Sequence, residues 1–244
     1  MTDAASFPVT PRNRVKRMHE RARYDRASVW AVLDAAMLAH VAWVLDGQPF
    51  CTPTIHWRDG DRLYWHGSAA SRMLRTQAEG LPVCLTVSHL DGLVLARSAF
   101  HHSVNHRSAM CFGRARLVAD PEEKVRALDG LVDRLSPGRA ARLRPTTAQE
   151  LKATSVVAMD VEEASVKVRA AGVADDPEDL SWPVWAGVVP VAAIVGTAEP
   201  CPHGLGAAPT PVDLAVWREG RSLDDTLRAA QAAWRPAAEP PAEV

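Results

Sequence analysis

Short runs in which apolar and polar residues alternate dominate the first two thirds of the chain. In the clearest run, at 49–58, every second residue from Cys51 to Trp57 is apolar or a proline. Alternation of this kind predicts β-strands that bury one face. Dipeptides typical of hairpin turns separate the runs, namely Asp46-Gly47, Asp59-Gly60 and Asp91-Gly92. Strands are predicted at 41–45, 49–58, 63–66, 83–90, 93–98, 110–118, 155–161 and 165–169.

Other segments show helical signals instead. After Asp25 or Ser28, either of which is a suitable N-cap, apolar residues recur at helical spacing. Asp120 precedes a proline and two glutamates, which is a strong helix start. The residues from Thr147 to Glu150 match a capping box. Helices are therefore predicted from about 28, at 72–79, from 121 to about 135, after 147 and at 223–234.

Many short strands with a few helices at their edges predict a mainly β fold with α decorations, in the form of a small barrel. Strands and helices do not alternate regularly, which disfavours a doubly wound parallel sheet. The predicted organisation is a flexible N-terminal arm at 1–11 and a barrel domain at 12–195. A proline-rich extension with a final helix follows at 196–235, and a disordered tail at 236–244.

Composition and charge narrow the class of protein. The chain has 244 residues, with 28 Lys and Arg against 29 Asp and Glu. A net charge of −1 disfavours general nucleic-acid binding. The longest apolar run, at 183–195, is too short to span a membrane, and the N-terminus lacks an apolar leader. Four separated cysteines give no disulfide or zinc pattern, so a soluble cytoplasmic protein is expected.

Several common sites are disfavoured by the motifs. The chain contains no G-x-G-x-x-G, no phosphate-binding P-loop and no G-x-S-x-G elbow. His101, His102 and His106 lie close together but without a neighbouring carboxylate, so they are interpreted as polar residues lining a cleft rather than as a metal site. The basic stretch at 12–26 is either a solvated face or a source of arginines that reach a phosphate.

The segment from Trp65 to Arg72 is the most promising site in the sequence. It passes from a strand through small residues into a helix start, where backbone N–H groups are left without helical partners. The hydroxyls of Ser68 and Ser71 and the guanidinium of Arg72 add further donors. Such a group of donors suits a terminal phosphate. An ordinary helix cap with a surface charge is the alternative interpretation.

At this point a resemblance to a known family becomes specific. The sequence is similar to the pyridoxamine-phosphate-oxidase-like flavoprotein superfamily, and more narrowly to its flavin-nucleotide-binding branch, which includes the nitroimidazole-resistance reductases. The similarity covers about 12–191, in order. The motifs that carry it are Arg21 to Asp25, Gly47 to Phe50, Pro53-Thr54, Leu63 to Gly67, Ser71-Arg72, Ala99 to Ser108, Phe112 to Ala115, Pro137 to Arg139, Ala164 to Arg169 and Pro183 to Pro190.

The resemblance implies a split β-barrel that forms a homodimer and holds FMN in clefts between the subunits. It places Ser71 and Arg72 at the phosphate, His66 towards flavin and substrate, and Trp185 over the flavin from the other subunit. The residues that it assigns to the cofactor are Thr52, Pro53, Thr54, His66, Gly67, Ser68, Ser71, Arg72, Met73, Ser103, Asn105, His106, Arg107 and Trp185.

Two positions depart from the family pattern. His106 stands where relatives usually have tyrosine, which affects the substrate side of the pocket. Met73 stands where many members have a second basic residue, which weakens the phosphate site unless an arginine from 12–26 compensates.

The resemblance also implies a redox mechanism. A nicotinamide would reduce FMN, and the reduced flavin would then reduce a small acceptor such as a nitro compound or a quinone. His66 and Arg107 are the predicted catalytic side chains, because they are suited to polarise the ring or the substrate. Oxidation of pyridoxamine phosphate is disfavoured, because the sequence shows no second basic cluster for a substrate phosphate.

Three alternatives keep the fold and change the function. Related split barrels bind haem, which His101, His102 and His106 would ligate in a haem-binding or haem-degrading protein. A deazaflavin is a second possible cofactor. A non-catalytic flavin-binding sensor or carrier is the third.

Overall fold

A computed structural model describes residues 5–203 and 214–234 of the chain. Its nine strands are antiparallel and follow the order β1-β8-β6-β7-β4-β3-β2-β5-β9, with a further pairing between β5 and β6. That pairing closes β6, β7, β4, β3, β2 and β5 into a six-stranded barrel, so the predicted mainly β barrel is confirmed. The strands are β1 (Ala22–Arg23), β2 (Leu38–Leu45), β3 (Gln48–Asp59), β4 (Arg62–Ser68), β5 (Pro82–Leu95), β6 (Ser103–Leu117), β7 (Thr154–Asp160), β8 (Glu163–Arg169) and β9 (Gly187–Pro190).

The helices confirm most of the cap predictions. The Asp25 side chain accepts a hydrogen bond from the backbone N–H of Ser28, and Asp120 accepts from two N–H groups of its own helix. Thr147 and Glu150 form the complete capping box. The helix after Ser71 is shorter than predicted. The helices are α1 (Arg26–Asp34), α2 (Arg72–Gln77), α3 (Pro121–Leu135), α4 (Ala148–Ala153) and α5 (Leu223–Ala233).

The hairpin predicted at Asp91-Gly92 is wrong. β5 continues through this dipeptide, and only its register with β6 shifts, between Leu90 and Gly92. The glycine is needed for a close approach rather than for a turn, because a Cβ at Gly92 would lie 3.1 Å from the backbone oxygen of Val189. A β-bulge in a long strand therefore replaces the turn.

Two apolar cores hold the barrel and its helices. The interior core contains Leu33, Val41, Leu63, Trp65 and Leu85, all of which are fully buried. A second core lies on the outer face of β3, β4 and β7 beneath α3, and it is built from Trp57, Tyr64, Val118, Ala127, Leu131, Val156 and Ala158. The strands beneath α3 therefore bury both faces.

The predicted flexible arm at 1–11 is packed from residue 5 onwards. Phe7 is only 3% exposed, meets the Trp30 ring edge-on at 5.6 Å and donates its N–H to the Tyr24 carbonyl. Asn13 is also buried and donates to the carbonyl of Ala164. The sequence shows no repeating apolar pattern in this segment, because a single aromatic side chain anchors it.

At the other end of the chain, α5 packs against α1 and α3. Arg134 of α3 is buried and donates to the carbonyl groups of Leu227, Asp34 and Ala36, which ties the three helices together. The predicted disordered tail at 236–244 lies outside the described residues. No helix within the described ranges is long and apolar enough to cross a membrane.

Candidate functional site

β3 and β4 separate along part of their length, and we call this gap in the barrel wall the split. The two strands pair only from His56–Trp65 to Asp59–Arg62. Beyond that point β3 pairs with β2 alone, and β4 pairs with β7 alone. The edge of β3 at 48–55 and the edge of β4 at 66–68 therefore present backbone groups that no neighbouring strand uses. Unpaired edges are ready to hydrogen-bond to a planar polar ligand.

Arg72 reaches across this split. Its guanidinium carbon lies 4.7 Å from the centre of the Phe50 ring on β3, although Arg72 itself begins α2 after β4. Within the part of the chain that the structure describes, Arg72 forms no ion pair with a carboxylate. A cation that is held on an aromatic face and is not neutralised can accept an anionic ligand.

In the loop before Arg72, more backbone N–H groups are already hydrogen-bonded within the chain than predicted. Ala69 donates to Ala153, and Ser71 donates its N–H to the Ser68 carbonyl. Ala70 donates to the Ser68 hydroxyl. The Ser71 side chain, by contrast, caps no helical N–H group. The predicted anion site would therefore depend on the side chains of Ser71 and Arg72 more than on free backbone donors.

The predicted flavin-lining residues of β3 divide between two faces. Thr52 and Thr54 pair with Val41 and Ala39, both of which are buried, so they share the inner face of the barrel and are half-buried. Pro53 faces outwards and is exposed. All three lie on the unpaired edge of β3.

His66 lies on β4 at the margin of the second core. Its ring meets Trp57 edge-on at a centroid distance of 5.8 Å, and its Nδ1 is buried without a hydrogen-bond partner. Burial lowers the pKa of His66, so the imidazole is neutral at neutral pH. The next residue, Gly67, allows the close approach of α2, because a Cβ there would lie 3.0 Å from Leu74. Ser68 is the last residue of β4, and Met73 is the second residue of α2.

Arg107, the second predicted catalytic side chain, is bound within the chain. It donates to both carboxylate oxygens of Asp91, at 2.8 and 2.6 Å, and to Asp224 at 2.6 Å. The hydrogen bond to Asp91 raises the pKa of Arg107, and the same contact lowers the pKa of Asp91. The guanidinium therefore clamps α5 to the bulge of β5. Sequence reasoning missed this because Asp91 and Asp224 are far from it in the chain.

The other predicted residues of β6 lie beside Arg107 rather than beside Arg72. Ser103, Asn105 and His106 belong to a stretch that pairs with β5 and β8 and not with β3 or β4. β6 first meets β7 at Ala115, eight residues beyond Arg107, which is roughly 26 Å of strand. Within one chain, the structure therefore shows no direct pairing between these residues and either edge of the split.

Trp185 stands on the surface near β9 and is 63% exposed. Phe100 and Trp182 are also exposed, at 89% and 67%. An ion pair from Arg97 to Asp175 and a hydrogen bond between His101 and Asp176 connect the two loops that carry these aromatic residues. Within one chain, Trp185 covers neither the split nor His66 by any contact that the structure shows.

The three neighbouring histidines do not converge. His101 is paired with Asp176, and His102 uses Nδ1 with the Ser98 carbonyl. Among the described residues, no group of three or more His, Cys, Asp or Glu side chains is arranged to hold a metal ion.

Comparisons with known proteins bear on this geometry. The family model of pyridoxamine 5'-phosphate oxidase matches residues 25–168. The flavocytochrome Anf3 from Azotobacter vinelandii is similar at 48% identity and a TM-score of 0.80, over 86% of this chain and 98% of that chain. The FAD and haem binding protein from Mycobacterium smegmatis is similar at 38% identity and a TM-score of 0.78, over 83% and 98%.

A further structure, of a candidate 5-nitroimidazole antibiotic resistance protein from Bacteroides thetaiotaomicron, is similar at 24% identity and a TM-score of 0.48, over 60% and 86%. No curated protein matched the chain. The family model covers more than half of the chain, and the flavocytochrome is covered almost completely at high identity. The chain therefore belongs to the pyridoxamine 5'-phosphate oxidase family.

Proposed function

We propose that this protein is a redox protein that binds a flavin nucleotide in the split between β3 and β4. The observation that carries the proposal is the guanidinium of Arg72, which lies across the split on Phe50 without a carboxylate partner among the described residues. The flavin and haem proteins that match 98% of their own length support it. FMN and FAD share the phosphate that Arg72 would bind, so the geometry suits either.

The residues of the split have distinct tasks in this proposal. Arg72 and the Ser71 hydroxyl hold the phosphate, and Phe50 keeps the guanidinium in place. The unpaired edge of β3 offers the backbone groups of Cys51 and the carbonyl of Pro53 to the polar edge of the flavin ring. The Asp46-Gly47 turn sets a register in which Thr52 and Thr54 use their own N–H and carbonyl groups with β2. His66, neutral and half-buried, offers a single N–H donor. The flavin would supply the electron transfer.

Haem is the second group that we propose, because both similar structures are of proteins that carry it by name. Iron requires a neutral imidazole nitrogen that is not already hydrogen-bonded. His101 is the weakest of the predicted ligands, since it is paired with Asp176. His66 has a lowered pKa and could ligate iron only through Nε2, because its Nδ1 is buried. His102 and His106 are the remaining ligands to test.

The proposed reaction is reduction of a small acceptor, such as a quinone or a nitro compound, with electrons from a nicotinamide. We also propose a homodimer. The outward faces of β2, β5 and β6 expose Leu38, Val44, Leu90 and Met110, and a second copy would cover this apolar surface. The dimer would also bring Trp185 and the residues at 103–107 of one subunit towards the split of the other.

The test starts from the absorption spectrum of the purified protein. We expect a two-band flavin spectrum that survives desalting, and a Soret band when haem is bound. Heat release of the flavin followed by chromatography distinguishes FMN from FAD. Arg72→Ala should lower flavin retention at least tenfold, because it removes a charge-assisted contact to phosphate.

Arg126→Ala is the matched control. Arg126 is an exposed arginine of α3 whose ion pair with Glu122 is 3.7 Å long, so its loss should leave flavin retention unchanged. A protein that retains no flavin at saturating FMN or FAD would refute the proposal. Histidine variants at 66, 102 and 106 assign the haem ligand by loss of the Soret band. Anaerobic mixing with each nicotinamide then tests the proposed electron donor.

A further inference from the structure

Cationic side chains from three distant parts of the chain meet on the outer face of β8. We name Arg21, His106, Lys167 and Arg169 the β8 cationic cluster. His106 lies directly opposite Arg169, and Ser108 lies opposite Lys167 in the same pair of strands. β1, which follows Arg21, pairs with β8 at Lys167. Cross-strand neighbours share a face, so the register places His106, Lys167 and Arg169 together. The charge of Arg21 acts on His106 from the segment just before β1.

Within the described ranges, His106, Lys167 and Arg169 form no ion pair with a carboxylate. Lys167 donates only to the Arg17 carbonyl, at 3.5 Å. Arg21 has one ion pair, with Glu20 at 3.5 Å. The charge of Asp91 acts on His106, but the Asp91 carboxylate already accepts hydrogen bonds from Nε and Nη2 of Arg107. Like charges at adjacent positions of a sheet repel each other, so the cluster costs stability unless an anion joins it.

Arg169 gives the cluster a fixed base. It is only 8% exposed, and its donors go to the Asn105 side chain and to the carbonyl groups of Ala171 and Gly172. Asn105 also accepts from the N–H of Ala171, which fixes the amide. Buried Arg134 is likewise held by carbonyl groups, but Arg169 differs because an ammonium and a second guanidinium lie beside it.

The surrounding groups are suited to an oxyanion. Burial, and then the charges of Lys167 and Arg21, lower the pKa of His106, which leaves a neutral imidazole with one N–H donor. Ser108 adds a hydroxyl beside Lys167. We infer that the β8 cationic cluster is an anion-binding subsite for a phosphate group, separate from Arg72. Its FAD outcome rests on the proposed flavin site, whereas its inorganic-phosphate outcome does not.

The same phosphate chemistry has three sources: free phosphate, a phosphorylated substrate, or the second phosphate of FAD. The experiment uses the protein as purified and titrates it with inorganic phosphate by calorimetry. FMN and FAD are titrated separately after the bound flavin has been removed. Lys167→Gln should weaken phosphate binding at least tenfold, and Arg21→Gln should weaken it by a smaller factor because Arg21 already has an ion pair.

Lys152→Gln, on exposed α4, is the control and should bind phosphate like the wild type. If FAD is the source, Lys167→Gln weakens FAD and leaves FMN unchanged. If free phosphate or a phosphorylated substrate is the source, Lys167→Gln weakens the binding of inorganic phosphate and leaves the affinity for both flavins unchanged. Equal phosphate affinity in the wild type and Lys167→Gln overturns the inference. Loss of phosphate binding only in Arg72→Ala, or dissociation of a dimer by Lys167→Gln without a change in phosphate affinity, also overturns it.

Discussion

Acidification is expected to destabilise this protein through one buried histidine. His56 lies on the inner face of β3 and is 2% exposed. Burial, followed by the positive charge of Arg134, lowers its pKa from 6.5 to about 4, while the carbonyl groups of Leu33 and Met37 oppose the shift only in part. The folded protein therefore keeps this imidazole neutral over a range of pH in which the unfolded chain protonates it.

The sign and size of the effect follow from proton linkage. Between about pH 6.5 and about pH 4 the unfolded state binds more protons at His56 than the folded state, so stability falls as the pH falls. The full shift corresponds to about 3 kcal/mol, of which about 2 kcal/mol is lost between pH 8 and pH 5. Above about pH 6.5 the His56 contribution is constant.

The assay is urea unfolding at pH 8 and pH 5, followed by tryptophan fluorescence at equal cofactor content. His56→Gln keeps a polar side chain of similar length but cannot titrate. We expect its free energy of unfolding to fall by about 2 kcal/mol less than that of the wild type between the two pH values. His66 and His106 also have lowered pKa values, but they contribute equally to both proteins. An equal fall in the two proteins would refute the reasoning.

Three further substitutions, one of them with a matched control, test the packing, a buried hydrogen-bond donor and a helix cap. Gly113→Ala should destabilise the fold by about 2 kcal/mol in urea unfolding, because its Cβ would overlap the carbonyl oxygen of Asp160, whereas Gly172→Ala, where a Cβ meets nothing, should have no such effect. Arg134→Met should cost about 3 kcal/mol, because it leaves buried carbonyl groups without a donor. Thr147→Ala should cost about 1 kcal/mol by removing a helix cap, which thermal unfolding monitored by circular dichroism would detect.

Features set by neighbouring residues were predicted well from the sequence. The Asp120 cap, the Thr147 capping box and the Asp46-Gly47 turn each depend on a few adjacent residues, and the structure shows all three. The same local rule failed at Asp91-Gly92, because the pairing of β5 with β6 on both sides of this dipeptide overrides its preference for a turn.

Features that depend on distant contacts were missed. Nothing near Arg107 in the sequence signals that Asp91 and Asp224 bind it, and nothing near residue 7 signals that its ring packs on Trp30. The β8 cationic cluster was missed for the same reason, since its members come from three strands or their flanks. The family resemblance correctly indicated the barrel, but it could not indicate which of its site residues share one surface in a single chain.

Most of the residues that the resemblance assigns to one cofactor fall into two groups, one on β3, β4 and α2 and the other on β6. One group surrounds Arg72 at the split, and the other surrounds His106 beside the β8 cationic cluster. If two subunits complete a single site, Arg72→Ala and Lys167→Gln should both weaken the same flavin. If the groups are separate sites, Arg72→Ala should weaken every flavin, and Lys167→Gln only the phosphate ligand. The comparison of these variants therefore decides how many ligands the barrel holds, which fold similarity alone does not determine.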